Sequence, residues 1–259
     1  MNESILYEVK DKVAVITLNE PEARNAGSFK MMHALFEAVE RMNSDPGVAA
    51  GILTGNGPVF SAGANLKDAR THSTSRIDEY DEGRDNSIYD AMMNCPKPII
   101  AAVNGPAIGA GATLTLGCDI RIASSEAKFL WPMASFGILP ANGTMVRLAR
   151  VVGVGMALEL TMSAKEIDAK EADRILLVNR VVEPDRLMDE AGELAARMAE
   201  QAPLSLRFIK ESLYKGLDMG LRDSIHADRY RQFILYNTKD RKEASKAWLE
   251  KRAPRFSGE

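Results

Sequence analysis

Two short stretches, FSAGANL at residues 60–66 and AIGAGAT at 107–113, carry small residues where bulky side chains would keep a ligand off the backbone. Each follows an apolar run rich in β-branched residues, so each predicts a strand end whose backbone N–H groups can reach outward. Two such amides converging on one oxygen would form an oxyanion hole, which stabilises a carbonyl oxygen as it gains charge. The second stretch also opens a predicted helix, whose unpaired first amides and dipole favour that same charge. Small residues at strand ends also serve tight packing alone, and the residues by themselves leave both roles open.

Other chemistries fit less well. GAGATL departs from the dinucleotide fingerprint because Leu114 takes the last glycine position, and Ser61, between Phe60 and Ala62, is not in a GxSxG elbow. Two cysteines, Cys95 and Cys118, without CxxC spacing, and three histidines, at 33, 72 and 226, argue against a metal site or a disulfide framework. Thirty-three Lys and Arg against 36 Asp and Glu leave a net charge of −3, so no overall field favours nucleic acid or an anionic membrane. MNESILYEVKDK at the amino terminus is charged, and no apolar run approaches the roughly 18 residues of a membrane span. These features predict a cytoplasmic enzyme.

The elements that must position the two stretches alternate. ILYEVK (5–10) and VAVITLN (13–19) predict a hairpin. Ser28 caps a predicted helix to about Asn43, with Met31, Leu35, Ala38, Val39 and Met42 at helical spacing. Strands are predicted at 48–55, 98–103, 119–124 and 176–183, with a helix from Gly109, which gives right-handed βαβ-like units. After Pro184 only helices follow, at 185–200, 204–216, 220–236 and 240–251. The expected division is a core over 1–195 and a helical segment over 196–259, too small to bury its own core and so packed on the core or on another subunit. The polar residues 71–90 predict a loop and part of a helix over a pocket.

The motifs NEPEARNA (19–26), FSAGANLKD (60–68), KPIIAAVNGPAIGAGATLTLGCDIRIAS (97–124) and EKRAPRF (250–256) together resemble the enoyl-CoA hydratase/isomerase, or crotonase, superfamily. The resemblance implies an α/β fold, a spiral of βαβ turns with a C-terminal helical trimerisation segment. It also implies a homotrimer or dimer of trimers, and an acyl-CoA ligand with no cofactor beyond the coenzyme A of the substrate. By that resemblance Ala64 and Ala110 supply the two amides that hold the thioester oxygen, and Ala26, Ala62, Gly63, Asn65, Leu66 and Met133 lie along the substrate. Arg24 falls beside the CoA phosphates, where a guanidinium suits the geometry. Lys251, with Trp248 and Phe256, falls either by the adenosine end or in subunit packing.

The acid–base positions depart from the pattern. Hydratases of the superfamily carry a glutamate where this chain has Thr113 and a second where it has Met133. Isomerases place an acid in the segment matching FGILPANGT, where Ala141 stands. None of the three can act as a carboxylate base. The form of GATLTLGCDI and AVNGP resembles isomerases, so the leading expectation is an enoyl-CoA isomerase. The alternatives are a hydratase with atypical groups and a catalytically impaired acyl-CoA-binding subunit. His72, Asp78, Tyr80, Asp81, His226 and Tyr230 are spare proton carriers, each also suited to a solvated role.

Overall fold

A computed structural model describes residues 4–69 and 88–259. Strands β1 (Ile5–Lys10) and β2 (Val13–Leu18) form the predicted antiparallel hairpin. Its two turn residues, Asp11 and Lys12, have φ of 48° and 65°, the left-handed pair whose twist matches that of the flanking strands. β3 (Ala50–Gly55), β4 (Ile99–Val103), β6 (Ile120–Ser124) and β9 (Arg180–Val182) continue the sheet in parallel, in the order β1-β2-β3-β4-β6-β9. A smaller sheet has the order β5 (Ala107–Ile108), β7 (Lys128–Leu130), β8 (Ile167–Asp168).

The central strands β3 and β4 are buried on both faces, which is why they read as unbroken apolar runs. Along β4, Ile99, Ala101 and Val103 face one core, and Ile100 and Ala102 face the other. Helix α1 (Phe29–Ser44) covers the first face with Met31, Leu35, Val39 and Met42, and Ser28 Oγ caps it by accepting from Met31 N at 3.1 Å. Short helices α2 (Leu66–Ala69) and α3 (Ile88–Asn94) flank the stretch 70–87, which lies outside the described residues together with His72, Asp78, Tyr80 and Asp81. Helix α4 (Ala110–Gly117) follows β5. α5 (Thr144–Val152), α6 (Val154–Met162) and α7 (Ala169–Arg174) then lead to β9.

Helix α8 (Leu187–Ala199) lays Leu187, Ala191, Ala195 and Ala199 against the second face, so residue 195 lies within a helix that belongs to the core throughout. The strand predicted at 176–183 shortens to Arg180–Val182. Leu177 and Val178 are buried, but in a turn: Leu176 has φ 61° and Leu177 N donates to Ala172 O at 2.8 Å. Burial explains that apolar run without a ladder.

Beyond the core stand α9 (Pro203–Gly216), α10 (Leu221–Tyr236) and α11 (Lys239–Glu250). α9 is anchored by polar groups: Lys210 Nζ donates to Asp119 Oδ2 at 2.7 Å and to Lys97 O at 3.0 Å, and Tyr214 OH donates to Asp119 Oδ1 at 2.9 Å. Neither α9 nor α10 contains a buried residue. On α11, Trp248 and Leu249 are 84% and 81% exposed. Past α11 the chain turns back, and Asp240 accepts from Ser257 N at 2.7 Å and Gly258 N at 2.9 Å. Among the described residues no helix is long and apolar enough to cross a membrane.

Candidate active site

The site begins with two loops locked together. Asn25 is fully buried; its Oδ1 accepts from Glu20 N at 2.9 Å, and its Nδ2 donates to Asn56 O at 3.0 Å and Val59 O at 2.8 Å. Ser61 Oγ donates to Asn25 O at 2.7 Å and accepts from Gly63 N at 3.2 Å, while Ala62 N donates to Arg24 O at 2.9 Å. At the end of β4, Asn104 joins the strands, accepting from Gly55 N at 3.0 Å and donating to Gly57 O at 2.8 Å. The segment 61–65 is thereby held as a rigid ledge.

The helix α4 meets that ledge at van der Waals limits. A Cβ on Gly63, which has φ +93°, would sit 2.6 Å from Ile108 O and 3.5 Å from Ala110 N. One on Gly111 would sit 2.5 Å from Ser61 O. Only glycine permits this approach. Gly27 bridges the far side of the ledge: its N donates to Gly63 O at 2.7 Å and its O accepts from Asn65 N at 3.0 Å. Among the described residues, neither Ala64 N nor Ala110 N donates to a protein acceptor. Two unpaired amides thus lie on either side of the Gly63 contact, one of them at a helix start.

The three positions that lack carboxylates gather around this point. Thr113 is one turn beyond Ala110 on α4 and its Oγ1 lies 3.0 Å from Thr144 Oγ1. Thr144 Oγ1 in turn donates to Ala141 O at 2.5 Å. Met133 opens a 3-10 turn, with its methyl 3.8 Å from where a Cβ on Gly109 would lie. None of these side chains carries charge. The thiols do not fill the gap: burial pushes Cys95 up and Cys118 to about 12, so neither is a thiolate at neutral pH.

The remaining expected residues are more dispersed. Arg24 is exposed in a left-handed conformation with φ 54°, beside the half-buried Ala26. Ala62 is half-buried within the ledge, and Leu66 opens α2 on the surface. Lys251 ends α11 with φ 53°, and no hydrogen bond or ion pair among the described residues joins it to the loop of Arg24. His226 and Tyr230 are exposed on α10. Asn25, Asn104 and Ser61, which hold the ledge, were not expected from the sequence; their signal was the turn chemistry of Asn25 before Ala26-Gly27 and of Asn104-Gly105. Among the described residues no cluster of three or more His, Cys, Asp or Glu could hold a metal ion.

A largely parallel sheet wound with helices, with two unpaired amides beside the Gly63 contact, is an arrangement able to receive a carbonyl oxygen. Comparison places it more closely. The family model described as enoyl-CoA hydratase/isomerase matches residues 8–259. The chain is 37% identical to the short-chain-enoyl-CoA hydratase of Clostridium acetobutylicum, covering 96% of this chain and 95% of that one. It is 38% identical to the crotonyl-CoA hydratase of Syntrophomonas wolfei, covering 98% of each. A crystal structure of enoyl-CoA hydratase from Bacillus anthracis matches with a TM-score of 0.93 at 32% identity, covering 99% of this chain and all of that one. The chain belongs to the enoyl-CoA hydratase/isomerase, or crotonase, family, and is an acyl-CoA thioester enzyme with the crotonase fold.

Proposed function

We propose that this enzyme binds an enoyl-CoA with its thioester oxygen between the amides of Ala64 and Ala110, and adds or removes water across the α,β double bond. The observation that carries the reading is that these two amides have no protein acceptor on either side of the Gly63 contact. Charge moving onto the thioester oxygen as an enolate is worth most where donors are already fixed, and one such donor typically contributes about 2.7–4 kcal/mol. The names of the relatives favour hydration over the double-bond shift expected from the motif, and Ala141 offers an isomerase no acid. Proton transfer then falls to groups other than the usual glutamate pair. Arg24 is the phosphate contact of this reading, with Lys251 towards the adenosine.

The discriminating assay incubates the enzyme with crotonyl-CoA and, separately, with a 3-enoyl-CoA, and separates the products by chromatography. Hydration yields 3-hydroxybutyryl-CoA from the first substrate. A shifted double bond with no added water would restore the isomerase reading, and binding of butyryl-CoA without turnover of either substrate would leave an impaired binding subunit. The unburied apolar side chains of α9 and α10, Leu213 and Phe233 among them, support a homotrimer or dimer of trimers. Sedimentation should then find Phe233→Glu as a smaller species than the wild type.

A further inference from the structure

A cavity of about 990 Å³ opens where α4 runs out towards β6, at the end away from Ala110, between α9, α5 and the end of α3. Its volume falls within the range of about 300–1,000 Å³ that small-molecule sites take. Apolar groups such as Met93, Val146 and Leu213 line it beside a dense set of charges. The acids of this wall are already paired: Asp119 with Lys210 at 2.7 Å, Asp218 with Arg150 at 2.5 Å and Glu211 with Lys215 at 2.5 Å. Among the described residues, Arg121, Arg147 and Arg207 of the same wall have no carboxylate partner.

The guanidiniums of Arg121 and Arg147 are only partly engaged. Arg121, 7% exposed, donates from Nε to Leu177 O at 2.7 Å and from Nη1 to Cys118 O at 3.1 Å, while its Nη2 has no partner among the described residues. Arg147 donates from Nη1 to Leu116 O, and its Cζ stands 5.3 Å from the centre of the Tyr214 ring. These bonds tie down carbonyls at the end of α4 and leave Arg121 Nη2 and Arg147 Nε and Nη2 unspent. Arg121 Nη2 is not sealed in protein, since the buried side-chain atoms without a partner among the described residues are Tyr7 OH and Trp131 Nε1. Burial also pulls Arg121 below its ordinary pKa, a cost that an anion in the cavity would offset.

We propose that this cavity is a second ligand site, for a small organic anion carrying two carboxylate or phosphate charges, held by Arg121 and Arg147 and drawn in by the exposed Arg207. Guanidinium N–H groups match the oxygens of either anion. Two charges answer the unpaired guanidiniums of the wall, and the volume and apolar lining suit a carbon skeleton rather than an inorganic ion. The site does not depend on the thioester reading, because the length of α4, about 12 Å, separates it from the Ala110 amide.

The test is calorimetric titration of the full chain with glutarate and with glycerol 3-phosphate, with glycerol as the uncharged control. At least one dianion should bind once per chain with a Kd of about 1 mM or tighter, the affinity of a few charge-assisted bonds, and glycerol should not bind. Val146 is 55% exposed, so Val146→Glu spares the core while setting a carboxylate on the cavity wall, and binding should weaken about tenfold. Arg147→Gln keeps a donor for Leu116 O but loses the charge, and should weaken binding by about the same factor. Arg24→Gln, altered at the proposed CoA phosphate contact, should leave dianion binding unchanged. A wild type that binds neither dianion, as when a neighbouring subunit fills the cavity, overturns the proposal. So does binding that either Val146→Glu or Arg147→Gln leaves unchanged, or that Arg24→Gln abolishes.

Discussion

The two halves of the site are built from different material. The half proposed to receive the thioester oxygen is backbone, clamped by Asn25, Ser61 and Asn104 and by glycine contacts too close for any Cβ. The half that would handle protons turns on side chains: Thr113 shares a hydroxyl bond with Thr144, Thr144 bonds the Ala141 carbonyl, and Met133 stands beside Gly109. A backbone amide cannot be substituted, and moving it disturbs several buried partners at once. A side chain can be exchanged without moving the backbone that carries it. The difference teaches why the hole is recognisable while the acid–base set departs from the glutamate pattern of the hydratases.

Restoring carboxylates is the strongest way to test that separation. A positioned general acid or base contributes about 10²–10⁴-fold, so Thr113→Glu combined with Met133→Glu should raise crotonyl-CoA hydration by at least the lower figure in a steady-state assay. No gain in a folded variant would mean that the proton carriers lie elsewhere. Disturbing the backbone half should act the opposite way. Gly63→Ala places a Cβ against Ile108 O at a φ few residues tolerate, so turnover should fall about 10²–10³-fold, the effect of losing one hole donor. Asn25→Ala removes three bonds from a buried amide and leaves their partners unmet. Urea unfolding should show a loss of about 2–3 kcal/mol, scaled from the 1–3 kcal/mol of one buried unsatisfied group.

The smallest effect lies far from both halves. Arg252 donates to Glu243 and Arg255 N adds a backbone bond, which together hold the Glu243 carboxyl down at about 2. A depressed carboxylate favours the folded tail above its ordinary pKa, and that support is lost as pH falls from about 4.3 towards 2. Hydrogen exchange at residues 252–258 should therefore quicken over that acid range while exchange in β4 stays unchanged. Among the described residues the loops of the site are held by amide and hydroxyl bonds, so their protection should hold through the same range.

Legibility in the sequence followed the same division. The strands of the parallel sheet could be read because burial on both faces leaves unbroken apolar runs, as in β3 and β4. The run LLVNRVVE misled because burial without pairing gives the same composition, and Leu176 with its positive φ breaks the ladder. Helices α5 and α6 went unread: Gly143 and Gly153, with φ of 72° and 83°, punctuate the region more strongly than its apolar period marks it. The close approach of the two glycine-bearing stretches was visible because contact through the backbone demands small residues. The roles of Asn25 and Asn104 were not, since, Glu20 N apart, their partners lie 31 to 49 residues away, and the turn signal at each does not record such a bond.

The anchor of α9 has a mechanical consequence. Asp119, which holds Lys210 and Tyr214, stands just past α4, the eight-residue helix whose first amide is the proposed donor to the thioester oxygen. At about 1.5 Å per residue that helix is a strut of roughly 12 Å. One end would bear on the proposed ligand and the other on α9, whose apolar side chains such as Leu213 are exposed. Assembly and substrate would thus pull on the same strut, and acyl-CoA affinity should weaken on dilution in step with subunit dissociation.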